Sequence, residues 1–247
     1  MRNKKVSLML SLSLNVIMFL LLFYIACIKT DFYDRMLAKV GLSDYKIEDV
    51  RYLIEKRCLD GWTNTIKKMN ISADVVFFGN SITYESDFQK IFPNMKIINL
   101  GCNRDDLDDL IRRSYMINSV RPRKVFVLGG INRLIDVSND EFKDKYETLV
   151  DTIIKQNPEA EVYLQSLLPV NTEMELGSRY AGYIARIKEV NEIIYRISKE
   201  RKLVFVDLYA VYQVNNSLPQ KYTRDGLHLN PDAYHKWAEL ISPYLTY

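Results

Sequence analysis

The stretch that decides the fold is Asp74-Val75-Val76-Phe77-Phe78-Gly79-Asn80-Ser81, a short apolar run that ends on glycine and two polar residues. A continuous apolar run of this length, bounded by turn residues, is typical of a strand that is buried on both faces. Four further runs of the same kind lie at 96–100, 124–128, 161–165 and 203–206. The sequence therefore predicts five buried strands.

Helical patterns separate these strands, at 106–118, 139–156, 180–201 and 231–244. Ser138 or Asn139 is the expected N-cap of the second helix, and Asn230 is expected to cap the last one, which has Pro231 in its first position. Buried strands that alternate with helices indicate a parallel sheet covered on both faces. Right-handed crossovers then predict an α/β fold, a three-layer α/β/α sandwich.

The first thirty residues form a separate segment. Arg2, Lys4 and Lys5 precede an uncharged run from Val6 to Ile28, which is long enough as a helix to cross about 30 Å of hydrocarbon. The cations favour a cytoplasmic tail at 1–5, a transmembrane signal-anchor helix at 6–28, and export of the rest to the periplasm or the outside. A lipoprotein modified at Cys27 and a cleaved signal peptide are the alternatives, and both also imply export.

Composition and charge limit what the remaining residues can do. Residues 29–70 mix charged and apolar residues at helical spacing and predict a helical lead-in, which leaves 71–247 as one globular domain. The net charge of +3 includes +4 from residues 1–30, so the body is nearly neutral and no nucleic-acid partner is expected. Three cysteines make no disulfide framework or zinc site, and pairing of Cys58 with Cys102 stays open.

Polar residues follow several of the predicted strands, and the carboxyl edge of a parallel sheet is where ligands bind. Ser81 follows the first strand, and a serine nucleophile needs a base within hydrogen-bond reach. Of the two histidines, His228 lies in a glycine-containing loop, three residues after Asp225, which could orient it. The N–H groups of Ser81 and Gly101 and the side-chain amide of Asn132 are candidate donors to an oxyanion.

Four short segments resemble the four blocks of the SGNH hydrolases, also called the GDSL esterase/lipase family. They are Gly79-Asn80-Ser81-Ile82, Gly101-Cys102-Asn103, Gly130-Ile131-Asn132 and Asp225-Gly226-Leu227-His228. The Ser, Gly, Asn, Asp and His of the family fall on Ser81, Gly101, Asn132, Asp225 and His228. The resemblance covers residues 73–246 and implies an SGNH hydrolase domain. It also implies a flavodoxin-like sheet in the order 2-1-3-4-5, and ester hydrolysis without a metal or cofactor.

One position departs from the family pattern, because Asn80 stands where Gly-Asp-Ser-Leu has its aspartate. The departure leaves the nucleophile intact and puts the electrostatics and hydrogen bonding around it in question. An inactive binding or scaffold protein is therefore kept as an alternative.

The function expected from export and resemblance together is that of a membrane-anchored extracytoplasmic serine esterase. Its expected partners are the membrane, through the N-terminal helix, and an acylated small molecule or glycan that carries O-acyl or O-acetyl groups. An O-acyltransferase, a lysophospholipase and a thioesterase would use the same residues. The oligomeric state stays open. Four more residues are candidates for substrate binding: Asn103, Arg104, Arg179 and Tyr180.

Overall fold

The computed structural model describes residues 72–245, and this part of the chain contains a five-stranded parallel sheet. The strands are β1 (Val75–Gly79), β2 (Ile97–Gly101), β3 (Lys124–Leu128), β4 (Glu161–Gln165) and β5 (Val204–Val206). Their order in the sheet is β2-β1-β3-β4-β5, and all neighbours are parallel. The predicted α/β class and strand order are confirmed.

Helices connect the strands within the described range. They are α1 (Ser81–Tyr84), α2 (Phe88–Ile91), α3 (Leu107–Arg113), α4 (Tyr115–Asn118), α5 (Asn139–Gln156), α6 (Glu175–Ser178), α7 (Tyr183–Glu200), α8 (Leu208–Tyr212) and α9 (Pro231–Leu245), with 3-10 turns at Leu134–Asp136 and Gln220–Tyr222. The predicted helix at 106–118 is broken at Ser114, and the one predicted from residue 180 begins at Tyr183. The helix predicted at 139–156 has the predicted bounds, and Ser138 caps it.

The centre of the sheet lies in β1 and β3, where every residue is buried. Phe77, Phe126 and Tyr163 occupy the same register position on three neighbouring strands. Their rings stack across the sheet, with centroids 5.1 Å and 4.4 Å apart. In the observed register β1 and β2 end level with each other at Gly79 and Gly101, next to Leu128 of β3.

The predicted transmembrane span at 6–28, the lead-in at 29–70 and the Cys58 half of the suggested disulfide all lie outside the described residues. Among residues 72–245, no helix has both the length and the hydropathy needed to cross a membrane.

Candidate active site

Ser81 is the first residue of α1, directly after a tight turn at the end of β1. Asn80 is fully buried, and its Oδ1 accepts a hydrogen bond of 3.0 Å from the Ile82 N–H, which caps the helix. The turn needs a glycine at position 79, because a Cβ there would lie 2.2 Å from the Leu128 carbonyl oxygen. Asn80 thus acts as a neutral helix cap at the position of the family aspartate.

The structure brings Ser81, His228 and Asp225 into one hydrogen-bonded chain. His228 Nε2 lies 3.1 Å from Ser81 Oγ, although the two residues are 147 positions apart. His228 Nδ1 lies 2.7 Å from Asp225 Oδ2. A carboxylate can only accept at Nδ1, so Nδ1 carries the proton and Nε2 presents its lone pair to the serine hydroxyl. This arrangement suits removal of a proton from Ser81.

The loop that carries Asp225 and His228 is shaped by hydrogen bonds to the aspartate itself. Asp225 Oδ1 accepts from the N–H groups of Leu227, at 2.9 Å, and His228, at 2.7 Å. Burial by itself raises the pKa of Asp225, but the hydrogen bonds from the His228 ring, the His228 N–H and the Leu227 N–H outweigh it, so the pKa lies below its ordinary value. The carboxylate is therefore charged at neutral pH.

Two contacts that the sequence did not predict join this loop and α9 to the helix of the nucleophile. The Arg224 side chain donates to Glu85 Oε1 at 2.6 Å, just after α1. The buried Tyr234 of α9 donates its hydroxyl to the Ile82 carbonyl at 2.7 Å. No local sequence signal marks either contact, because each joins residues more than 130 positions apart.

Asn132 lies in the loop after β3 and is half-buried. Its Nδ2 donates to the Asp105 carbonyl at 2.8 Å, which orients the amide. An amide nitrogen has two N–H donors, so one remains for a ligand. Gly130, two residues earlier, has φ of +113°, and a Cβ there would lie 2.7 Å from the Phe142 ring, so the turn that delivers Asn132 requires glycine.

Gly101, predicted as an oxyanion donor, is engaged elsewhere. Its N–H donates to Asn99 Oδ1 at 2.8 Å, and the Asn99 amide in turn donates to the carbonyls of Thr83 and Ser86. A Cβ on Gly101 would lie 2.1 Å from the Tyr84 nitrogen. This glycine lets the end of β2 pack against α1, and its predicted role as a donor is wrong because its N–H already has an acceptor.

A buried ion pair that the sequence analysis missed lies beneath this loop. Arg113 and Asp105 form a salt bridge, with side chains only 5% and 1% exposed. The Arg113 guanidinium also donates to the carbonyls of Leu100 and Gly79, both at 2.6 Å. One side chain therefore holds together the ends of β1 and β2 and the loop that follows β2. Nothing in the sequence distinguishes Arg113 from Arg112 beside it.

The four candidate substrate-binding residues lie on two loops. Asn103 and Arg104 are exposed in the loop after β2, and Arg179 is exposed at the end of α6. Tyr180 is half-buried, with its ring 4.8 Å from that of Tyr183. Burial raises the pKa of Tyr180, the charge of Asp225 adds to the rise, and Arg179 and Arg104 oppose it. Both arginines and Asp225 therefore lie near this hydroxyl.

A cleft of about 100 Å³ opens beside Asn132, and its lining is both apolar, from Leu107, Leu134, Val137 and Phe142, and charged. Its charged lining residues carry both signs: Asp106, Asp108, Arg133, Asp136, Glu141 and Lys145. Several are carboxylates, yet within residues 72–245 no group of three or more His, Cys, Asp or Glu side chains is placed to hold a metal ion. The cleft suits a hydroxyl-rich group that can both donate and accept hydrogen bonds.

Comparisons with known proteins give a match to one family. The pattern of the GDSL-like Lipase/Acylhydrolase family matches residues 77–236, more than half of the chain. No curated protein matches the sequence.

Similar solved structures include a protein provisionally described as a platelet activating factor from Streptococcus pneumonia. It has 22% identity and a TM-score of 0.66, and the match covers 78% of this chain and 99% of that one. A GDSL-like lipase from Bacteroides thetaiotaomicron has 24% identity, a TM-score of 0.62, and coverage of 69% and 86%. A catalytic mutant of an acetylxylan esterase from Geobacillus stearothermophilus has 16% identity, a TM-score of 0.55, and coverage of 72% and 95%. At these identities the likeness establishes a shared fold.

Proposed function

Because the chain belongs to the GDSL-like lipase/acylhydrolase family and is a serine ester hydrolase, we propose that Ser81, His228 and Asp225 are its catalytic triad. The observation that carries the proposal is the hydrogen-bonded chain from Ser81 Oγ through the His228 ring to the Asp225 carboxylate. A nucleophile, a base and a group that orients the base stand in the order that acyl transfer needs.

In the proposed reaction, Ser81 Oγ attacks the ester carbonyl carbon while His228 Nε2 takes the hydroxyl proton. The Asp225 carboxylate stabilises the imidazolium that forms. The oxyanion of the tetrahedral intermediate accepts hydrogen bonds from the Ser81 N–H and the second N–H of the Asn132 amide. His228 returns the proton to the leaving alcohol. Water, deprotonated by His228, then attacks the acyl-enzyme and releases the acid and Ser81.

For the substrate, we propose O-acyl groups, and O-acetyl groups in particular, on a carbohydrate or envelope glycan. The charged side chains that line part of the cleft beside Asn132 support a hydroxyl-rich leaving group. An acetylxylan esterase of the same fold gives a precedent for this chemistry. The apolar run at 6–28 after three cations supports a membrane-anchored enzyme whose domain faces the periplasm or the outside, where such glycans lie.

Fluorophosphonate labelling tests the triad. The full-length protein is treated with a fluorescent fluorophosphonate beside Ser81→Ala and His228→Ala, with His235→Ala as the matched control because it replaces the other histidine of the chain. We expect the probe to label wild type and His235→Ala, and to leave Ser81→Ala and His228→Ala unlabelled. Labelling of Ser81→Ala equal to that of wild type would place the nucleophile elsewhere.

A substrate panel tests the glycan proposal. Acetylated xylo-oligosaccharides, other acetylated sugars, and nitrophenyl esters with short and long acyl chains are compared by kcat/KM. The proposal predicts that acetylated sugars are the best substrates. Preference for long acyl chains would favour a lipase. Transfer of acetyl to added glycan faster than hydrolysis would make the enzyme a transferase.

A further inference from the structure

We propose that Arg104 and Arg179 form a carboxylate-binding subsite beside the proposed triad, which takes the acid group of an O-acylated acidic sugar such as a uronic acid. The inference rests on the proposed function, because it names the kind of sugar that carries the acyl group. Arginine suits this task, since its planar guanidinium can donate two parallel hydrogen bonds to the two oxygens of a carboxylate.

Both arginines carry a charge that the protein itself does not balance. Arg104 and Arg179 are exposed, and neither side chain makes a hydrogen bond or an ion pair with another residue in the range 72–245. Other arginines in this range do form ion pairs, and they are Arg112, Arg113, Arg133, Arg186, Arg201 and Arg224. Two guanidinium groups near the site are thus left for a ligand to neutralise.

The loop after β2 fixes the backbone from which Arg104 extends. The Cys102 N–H donates to the Gly79 carbonyl at 2.9 Å, which ties this loop to the strand end that precedes the nucleophile. On the other side of Arg104, the carboxylate of Asp105 is bound to the buried Arg113. An arginine on an anchored backbone loses less conformational freedom when it binds a ligand.

Arg179 approaches the triad from a different segment, because it directly follows α6. The Gly177 N–H of this helix donates to the Asp225 carbonyl at 3.0 Å, and the backbones of Gly177 and Gly226 pack closely. Arg179 lies only two residues after Gly177. It is therefore next to the loop that carries the acid and the base of the triad.

The hydroxyl of Tyr180 shows that the two arginines act on the same region. Burial and the charge of Asp225 raise the pKa of Tyr180, whereas the charges of the two arginines lower it. Charged groups from three separate segments therefore surround one half-buried hydroxyl. This hydroxyl makes no hydrogen bond to another residue in the described range, so it can donate to a carboxylate held between the guanidinium groups.

The cleft beside Asn132 favours a sugar as the group that carries the carboxylate. Asn132 donates to the Asp105 carbonyl at 2.8 Å, and Asp105 directly follows Arg104, so the cleft adjoins the subsite. Asp106 and Arg133 line the cleft and pair at 3.7 Å, which balances the charge of this acid. Side chains of both signs suit the hydroxyls of a sugar ring, while the two unpaired arginines suit its acid group.

Kinetics with two matched esters tests the subsite in the full-length enzyme. Acetylated methyl glucuronoside and methyl glucoside carry the acetyl group on the same hydroxyl, and only the former has a carboxylate. We expect kcat/KM to be about tenfold or more higher for the glucuronoside. The preference should disappear when Arg104→Gln and Arg179→Gln are combined, and it should shrink at high salt, which screens exposed charges.

Arg196→Gln is the matched control, because Arg196 is also exposed and also lacks a partner in the described range, but lies on α7 and does not act on Tyr180. It should keep the full preference for the glucuronoside. Equal kcat/KM for the two esters in wild type overturns the inference. A preference that persists in the combined Arg104 and Arg179 variant also overturns it.

Binding to Ser81→Ala separates the subsite from the triad, because it needs no hydrolysis. In an NMR titration this protein should bind methyl glucuronoside more tightly than methyl glucoside, and addition of Arg104→Gln and Arg179→Gln should remove the difference. If wild type hydrolyses neither ester, the proposed esterase fails and this titration decides the subsite: equal binding of the two sugars overturns it. Glycerophosphate that binds more tightly than the glucuronoside would assign the arginines to a phosphate, as in a phospholipid, and would overturn the carboxylate.

Discussion

At the scale of single residues, the charge of Asp225 links the geometry of the site to pH. Its carboxylate accepts three hydrogen bonds, two from main-chain N–H groups and one from the His228 ring. These bonds favour the ionised form and lower its pKa against the opposing effect of burial. Protonation would weaken all three, so the loop that carries His228 depends on this charge.

The lowered pKa predicts how stability changes with acid. A group whose pKa is lower in the folded state stabilises the fold above its unfolded pKa, and this contribution is lost as the pH falls through the folded pKa. The free-energy difference of unfolding between wild type and Asp225→Asn should be constant above about pH 5 and should shrink below about pH 4. Urea denaturation of both proteins from pH 3 to 7 measures it. A difference that does not change down to pH 3 would contradict the shift.

Asn80 and Gly101 show how far a sequence motif predicts what single residues do. The Ser, Asp and His of the motif come together in the structure, and Asn80 replaces the family aspartate yet still caps α1. Gly101 matched the motif by sequence but its N–H is occupied. Residue type at a motif position therefore predicted which side chains meet better than which main-chain N–H groups are available, because a donor's availability depends on what lies next to it.

At the scale of elements, the apolar and amphipathic periodicities predicted the strands and the long helices well. Helix α5 has the predicted bounds because Ser138 caps it and its buried residues recur at helical spacing. The helix predicted at 106–118 breaks at Ser114, where the N–H donates to Ile111, three residues back. Arg113, the last residue of α3, points inward to the ends of β1 and β2.

The buried ion pair predicts an asymmetry between two adjacent arginines. Arg113→Met should lower the free energy of unfolding by roughly 3–5 kcal/mol, because it leaves the buried Asp105 carboxylate without its cation. Arg112→Met is the matched control, since the Arg112 side chain is 41% exposed and pairs with Asp109 at the surface. Its effect should stay below about 1 kcal/mol. Chemical denaturation compares the two, and equal losses would show that Arg113 contributes no more than a surface residue.

At the scale of the whole molecule, the location of the enzyme depends on the N-terminal segment. The run at 6–28 lies outside the described residues, and its role as a membrane anchor stays a prediction. An apolar helix of this length binds a bilayer stably, because moving it into water would expose its whole apolar surface.

Fractionation of cells tests the anchor. Full-length protein expressed in a bacterial host should stay in the membrane pellet after alkaline carbonate extraction and should be digested by protease added outside the inner membrane. The matched control lacks residues 6–28 and should be found in the soluble fraction. Full-length protein in the soluble fraction, or protected from external protease, would contradict the proposed anchor and its orientation.

By itself, the sequence determined the alternation of strands and helices. Its four motifs also singled out Ser81, Asp225 and His228, the three side chains that meet in the structure. These features are local, because periodicity and short motifs reflect conformations and residue types that lie close together along the chain. Only the tertiary structure decided that Gly101 donates to Asn99, and that Arg113 and not Arg112 is buried with Asp105. Burial and hydrogen-bond pairing depend on residues that meet only after folding, so no local pattern could have predicted them.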